Sequence, residues 1–313
     1  MYRKWTKNDI EASKARFRRL YAKSPIEYRF LCGHDIQSED DEDALDYYMI
    51  GVWLVQHRKY SDWSKEKAFD LADQLIKDAD TSGSYALYPH EKYVAAWSVE
   101  AKFGSESFFE IANSVDDTPG RDSWGYLLNW YGYQKGFVTQ KYAEQMLADP
   151  GDVRGQLLEE NKYAGKTVWW LYKLRGTDLK TAPLECNNVV LRLSEVYLIA
   201  AEAGCKLGGD AAVQGLGYLN DIVKRGNPEN EVTMADYTLD RVLDERSKEL
   251  VGEGHRFFDL LRNGKTIVRK GGYHLPSVDE EVDWDFYKCV LPIPEDQFIF
   301  SPEMEQNPGY PKN

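Results

Sequence analysis

Two kinds of pattern divide this chain: long stretches with helical hydrophobic period, and a middle stretch without one. Residues 42–58 place Ala44, Leu45, Tyr48, Met49, Val52, Trp53 and Val55 at intervals of three and four. Residues 64–78 repeat the arrangement with Ala68, Leu71, Ala72, Leu75 and Ile76. Apolar positions recurring at i, i+3, i+4 and i+7 line one face of a helix, so both segments are predicted helices. The short turn at residues 59–62 makes them a helical hairpin. A second pair is predicted at residues 189–206 and 210–224, with Gly208 and Gly209 as the break. Residues 8–24 predict a basic amphipathic helix capped by Asn8 or Asp9. Strands are expected only around residues 107–112 and 288–293. The expected fold is mainly α, with helical hairpins, few short strands and a loop-rich insert over residues 81–185. No clean repeat of tetratricopeptide length is present.

Residues 244–264 mix nine charged side chains with Leu250, Val251, Phe257, Phe258, Leu260 and Leu261. Glu245 and Glu249 stand four apart and share a helix face, while Arg246 and Leu250 share the next. Gly252 and Gly254 then interrupt the helix before a second apolar turn. Glu245, Glu249 and Glu253 could be read as a source of catalytic carboxylates. Glycoside hydrolysis, however, needs two carboxyls facing each other across a cleft, about 5 Å or about 6.5–9.5 Å apart. Glutamates stacked along one helix face beside Arg246 and Arg256 predict ion pairs that tie helices together. Glu195 and Glu202, near Arg192, are expected to be packing charges of the same kind.

This segment resembles the carboxy-terminal signature of the SusD/RagB family, the surface nutrient-binding lipoproteins of Bacteroidetes-type bacteria. Residues 191–203, LRLSEVYLIAAEA, are similar to the family's "RLAEVYLIYAEA" helix. Residues 219–225 resemble its "LN-x-IR-x-R" helix, with Val223 in place of the first arginine, and LPIPE (291–295) and QNPGY (306–310) resemble its closing motifs. Upstream, Phe109, Glu110 and Ile111 resemble an "FEI" segment, and Asp152 with Arg154 resembles a "D-x-R" segment. Lys173 stands where the family has "KY", but Leu174 follows it here. The resemblance implies a SusD-like domain with tetratricopeptide-like helical pairs. It also implies a non-catalytic role, capturing an oligosaccharide or polysaccharide at the outer-membrane surface. The ligand would pass to a SusC-like TonB-dependent transporter.

Residues 1–8 show no apolar signal core and no cleavage site, and no window approaches 18 apolar residues. The resemblance implies a secretion signal, a lipidated cysteine and a further helical region ahead of the matching part. The chain is therefore expected to be the carboxy-terminal portion of such a protein, one SusD-like domain over residues 1–313 without the usual amino-terminal segment. Fifty-two Asp and Glu against 39 Lys and Arg give a net charge of −13, with no basic stripe, which argues against a nucleic-acid partner. The acidic run at residues 39–43 lacks the spacing of a calcium loop and reads as a solvated turn. Four scattered cysteines (Cys32, Cys186, Cys205, Cys289) and five scattered histidines suggest neither a zinc site nor any other metal centre. There is no phosphate-binding glycine loop, and no cofactor is expected.

Candidate binding chemistry concentrates in residues 116–134. Trp124, Tyr126, Trp130, Tyr131 and Tyr133 fall within ten residues, broken by Gly125 and Gly132 so that neither a helical nor a strand stripe organises them. Aromatic faces stack on the apolar C–H face of a sugar ring, and Arg121, Asp122, Asn129 and Gln134 could bond its hydroxyls. Binding groups also tend to sit on loops held by a rigid scaffold. The same aromatics could instead anchor a long loop onto the helices. Trp169, Trp170 and Tyr172 form a second cluster, for which core packing is expected, and Trp97 could point either way. Two rival functions remain: a peptide-binding uptake protein, since an acidic surface favours cationic peptides, and a glycosidase pairing Asp122 with Glu159 or Glu160.

Overall fold

The structure, a computed structural model, describes residues 65–313 except 115, 117–119, 129–130, 135, 174–184, 270–278, 301–302 and 312–313. The expected helices at 8–24 and 42–58, the acidic run and Cys32 lie outside these residues. Helix α1 (Lys65–Ser82) leads to strand β1 (Ser107–Ile111), a short α2 (Trp124–Leu128) and α3 (Gln140–Leu147). A hairpin of β2 (Leu158–Tyr163) and β3 (Lys166–Leu171) follows, then β4 (Asn188–Arg192). Next come α4 (Leu193–Leu207), α5 (Gly209–Gly226), α6 (Leu239–Glu249) and α7 (Arg256–Arg262). The chain closes with the two-residue strands β5 (Ile267–Val268) and β6 (Glu281–Val282) and helix α8 (Glu295–Phe300). The fold is mainly α, and its described strands form three separate antiparallel pairs, β1–β4, β2–β3 and β5–β6.

The core is helical. Ala72 and Ile76 of α1, Leu198 and Ala201 of α4, Leu219 and Ile222 of α5, and Val242 of α6 form one buried cluster. On α1 the buried line is Phe69, Ala72, Ile76 and Ala79. Leu71 and Leu75, predicted on that face, are exposed, because they follow the adjacent ridge of the same helix. Helices α4 and α5 pack backbone to backbone. A Cβ on Gly204 would come within 2.5 Å of the Ala211 carbonyl, and the Gly204 and Gly215 chains nearly touch. The predicted break at Gly208 and Gly209 turns one helix directly into the other.

Three expectations shift. Residues 189–192 are not helical: they form β4, which pairs with β1 (Phe109 opposite Leu191, Glu110 opposite Val189). Adjacent β-branched Val189 and Val190 favour this pleated conformation. No strand forms at 288–293. A 3-10 turn at Tyr287–Cys289 precedes Pro292 and Pro294, which have no N–H to give a ladder. The β2–β3 hairpin sits inside the expected insert. Its turn, Ala164–Gly165, has φ of 48° and 78°, the primed geometry that matches strand twist. Alanine rarely takes that conformation, so the turn gives little signal in sequence.

Candidate functional site

Behind the surface lies a buried ion network assembled from six segments of the chain. At its centre is Glu249, fully buried near the end of α6. It is ion-paired to Arg225 at 2.5 Å, Arg192 at 2.7 Å and Arg154 at 3.3 Å, and Tyr93 donates its hydroxyl at 3.3 Å. Glu106 joins the same arginines from the start of β1: Arg225 at 2.6 Å and Arg192 at 2.8 Å, with the Ser194 hydroxyl as a further donor. Arg154 is held by Asp152 at 2.6 Å, whose carboxylate also accepts from the Arg154 amide, and pairs with Glu245 at 2.6 Å. Glu245 in turn pairs with Arg241 at 2.8 Å. Glu253 closes the ring by pairing with Arg192 at 2.6 Å and with Lys173. A second, smaller set links helices through Glu202, which pairs with Arg262 and with Lys206. The stacked glutamates thus bind helices together, as the helix-face spacing predicts.

Burial and charge pull against each other in these groups. Burial alone would raise the Glu249 carboxyl, but Arg225, Arg192 and Arg154 outweigh it and hold it well below the usual carboxylate range. For Glu202 the same opposition, with Arg262 and Lys206 prevailing, leaves a pKa of about 2. Lys173 is the reverse: burial draws its ammonium down to about 8 despite Glu253. None of these carboxylates faces open solvent, so none is placed to act on a bulky substrate.

The aromatic segment is arranged differently. Its first part is the short helix α2, against the expectation that no helix organises it. Buried Ser123 starts that helix: its carbonyl accepts from the Leu127 amide at 2.9 Å and its hydroxyl from the Tyr126 amide at 3.2 Å. Gly125 is buried, which turns Trp124 outward at 55 % exposure. Tyr131 and Tyr133 are also exposed, at 43 % and 44 %, and Arg121 and Asp122 are exposed beside them. Tyr126 is half-buried and meets Tyr133 edge to face, with ring centroids 5.0 Å apart and planes at 81°. The Arg121 guanidinium stands 5.9 Å from the Tyr126 ring. Gln134 is half-buried with a positive φ of 54°. Asn129 and Trp130 lie outside the described residues. The structure therefore brings Arg121 and Tyr133 to Tyr126, which serves as a support rather than an open face, and leaves Asp122, Trp124 and Tyr131 exposed on the same segment.

Phe137 and the β2–β3 hairpin, which sequence reasoning did not link to this surface, fasten it down. The Val138 amide donates to the Trp169 carbonyl at 3.1 Å, and Phe137 meets Trp170 and Tyr163 with centroids 4.5 and 5.3 Å apart. Trp170 and Tyr172 are buried, as core packing predicts, while Trp169 is half-buried. Glu159 and Glu160 lie exposed on β2. Trp97 is buried against Tyr93. Among the described residues no cluster of His, Cys, Asp and Glu could hold a metal, and no helix is long and apolar enough to cross a membrane.

Comparison with known proteins places this geometry. A solved SusD superfamily protein from Bacteroides vulgatus is 98% identical with a TM-score of 0.78, the match covering 79% of this chain and 56% of that one. The starch-binding protein SusD of Bacteroides thetaiotaomicron is 31% identical over 150 residues, 45% of this chain and 25% of that protein. Surface glycan-binding protein A of Bacteroides thetaiotaomicron, solved with laminarihexaose, shares the fold at 22% identity and a TM-score of 0.58, over 78% of this chain and 60% of that one. The chain thus spans only part of each of these proteins. The SusD family model matches residues 112–310, a stretch that holds all of the network except Tyr93 and Glu106 as well as the aromatic segment. The chain belongs to the SusD family.

Proposed function

We propose that this protein binds oligosaccharides at the cell surface without cleaving them and delivers them to a SusC-like TonB-dependent transporter. The observation that carries this reading is the outward display of Trp124, Tyr131 and Tyr133 on a segment fastened to a hairpin. Exposed aromatic rings of this kind suit the C–H faces of sugar rings, and Arg121 and Asp122 stand nearby as partners for hydroxyls. Membership of a family that includes a starch-binding protein supports the same ligand class. A few anchors on an open surface give modest affinity, a Kd in the μM to mM range, or about −8 to −4 kcal/mol.

The test is calorimetry of the full chain against oligosaccharides and cationic peptides, with the Trp124→Ala variant alongside. Saturable binding of a glycan, weakened in the variant, is the expected result. Binding of peptides alone would select a peptide-uptake role instead. Release of reducing ends over time would select a glycosidase instead. Transfer is tested separately, by co-purification with the transporter.

A further inference from the structure

The two faces of the β2–β3 hairpin stand differently toward the aromatic segment. In an antiparallel pair, residues directly opposite each other point to the same side, and neighbours along a strand point to opposite sides. Glu159 lies opposite Trp170 and Asn161 opposite Val168, so these four share one face, and Glu160, opposite Trp169, is on the other. Phe137, which continues the aromatic segment, packs on the first face through Trp170 and Tyr163. Val168, Trp170 and Tyr172 are buried on that side, while Glu159 stays exposed at its rim. Tyr172 ties this rim to the segment. Burial pushes its hydroxyl above the ordinary value, and the neighbouring Glu159 and Tyr131 push it further. An exposed carboxylate and an exposed aromatic ring thus flank one buried hydroxyl.

Glu159 is steadied but not neutralised. Asn161 donates its Nδ2 to Glu159 Oε1 at 3.1 Å, and among the described residues no cation pairs with Glu159. A carboxylate offers about four acceptor positions, so places remain for hydroxyl donors. The cations of this region are engaged elsewhere. Lys162 turns to Thr167 and Glu160 on the opposite face, and Arg121 stands 5.9 Å from the Tyr126 ring. Asp122 adds a further exposed negative charge to the segment. A sugar hydroxyl arriving beside Tyr131 would find an acceptor in Glu159, whereas a sugar carboxylate would meet like charge.

We infer that Glu159 is a specificity-determining residue of the aromatic surface: it accepts hydroxyls from a sugar stacked on Tyr131, so the surface takes neutral glycans and turns away uronates. The inference rests on the glycan reading of that surface. Its test is calorimetry of the full chain against matched sets of neutral hexose and galacturonate oligosaccharides, with Glu159→Gln, Glu160→Gln and Trp124→Ala alongside. The parent should bind neutral members only. Glu159→Gln should weaken that binding roughly three- to tenfold, since an amide oxygen accepts a hydrogen bond less strongly than a carboxylate. Glu160→Gln makes the same charge change on the other face of the hairpin and should leave affinity at the parent value. Both glutamates are exposed, so neither change should disturb folding. A preference for galacturonates, or an equal loss in Glu160→Gln, would overturn the inference. If Trp124→Ala weakens glycan binding and Glu159→Gln does not, the glycan reading stands and the role given to Glu159 falls. If the parent binds no glycan of either set, both fall together.

Discussion

The ion network and the aromatic segment are both dense clusters of expressive side chains, and burial separates their roles. In the network every carboxylate is nearly or fully buried and meets at least one cation, so charge is spent on holding the polypeptide in place. In the aromatic segment Trp124, Tyr131 and Tyr133 leave roughly half of their surface in solvent, where it adds nothing to the core. Several of the motifs through which the chain resembles its family map onto the first region. Asp152 and Arg154, Arg192, Arg225, Glu245, Glu249 and Glu253 all come from those motifs, and all converge around Glu249. The network's share of those motifs thus serves the scaffold, whereas the proposed ligand surface lies in residues that no motif names.

The comparison breaks most visibly at its centre. Glu249→Gln keeps the shape of the side chain but leaves Arg192, Arg225 and Arg154 without their shared counter-charge. Removing one partner of a buried ion pair costs roughly 3–5 kcal/mol. The expected result is a loss of that size in urea denaturation. Native stability in Glu249→Gln would mean that the network is decoration.

Acid should reach the buried carboxylates of both sets more gently. Glu202, at a folded pKa of about 2 against an ordinary 4.5, is ionised more readily in the folded state. Its contribution is fully present above about pH 4.5 and is lost as pH falls toward 2. At 1.36 kcal/mol per pH unit, a shift of this size corresponds to about 3 kcal/mol. Glu249, also lowered, acts in the same direction. Denaturation midpoints measured from pH 6 to pH 2 should therefore fall steeply below pH 4.5, and the Glu202→Gln variant should show a shallower slope. An identical slope in that variant would remove Glu202 from the account.

A third break concerns packing without charge. Gly204→Ala inserts a methyl against the Ala211 carbonyl and Gly215, where the helices have no room. Overpacking of this kind costs typically about 1–3 kcal/mol. Thermal unfolding should register it, while glycan affinity stays at the parent value.

Much of the scaffold is legible in sequence because helical period and i, i+4 charge spacing are local signals. Helices α1, α4 and α5 lie where period places them, and the glutamate face of α6 forms ion pairs as its spacing requires. What sequence does not carry is which segments meet. Arg154 and Glu249 are 95 positions apart, and only the fold shows that they touch. The β2–β3 hairpin is hidden because an Ala–Gly turn gives a weak signal and because Trp169 and Trp170 sit side by side where one burial face alternates. The aromatic segment is recognisable by composition, yet which rings face outward depends on Ser123 starting α2 and on Gly125 being buried beneath it. Neither effect has a period to read.

The smallest expected effect on stability sharpens the comparison most. Trp124→Ala removes a ring that is more than half exposed and that sits on a five-residue helix. Because it fills no core, its loss should leave unfolding free energy within about ±0.5 kcal/mol of the parent. Binding should respond differently. If stacking on Trp124 contributes about 1.4 kcal/mol, within the range of aromatic contacts, glycan affinity drops about tenfold. Measured together by calorimetry and denaturation, the two numbers separate the regions: Glu249→Gln moves stability, and Trp124→Ala moves affinity alone. If Trp124→Ala instead destabilises the chain by several kcal/mol while affinity holds, the aromatic segment belongs to the scaffold, and the ligand surface must be sought elsewhere on the protein.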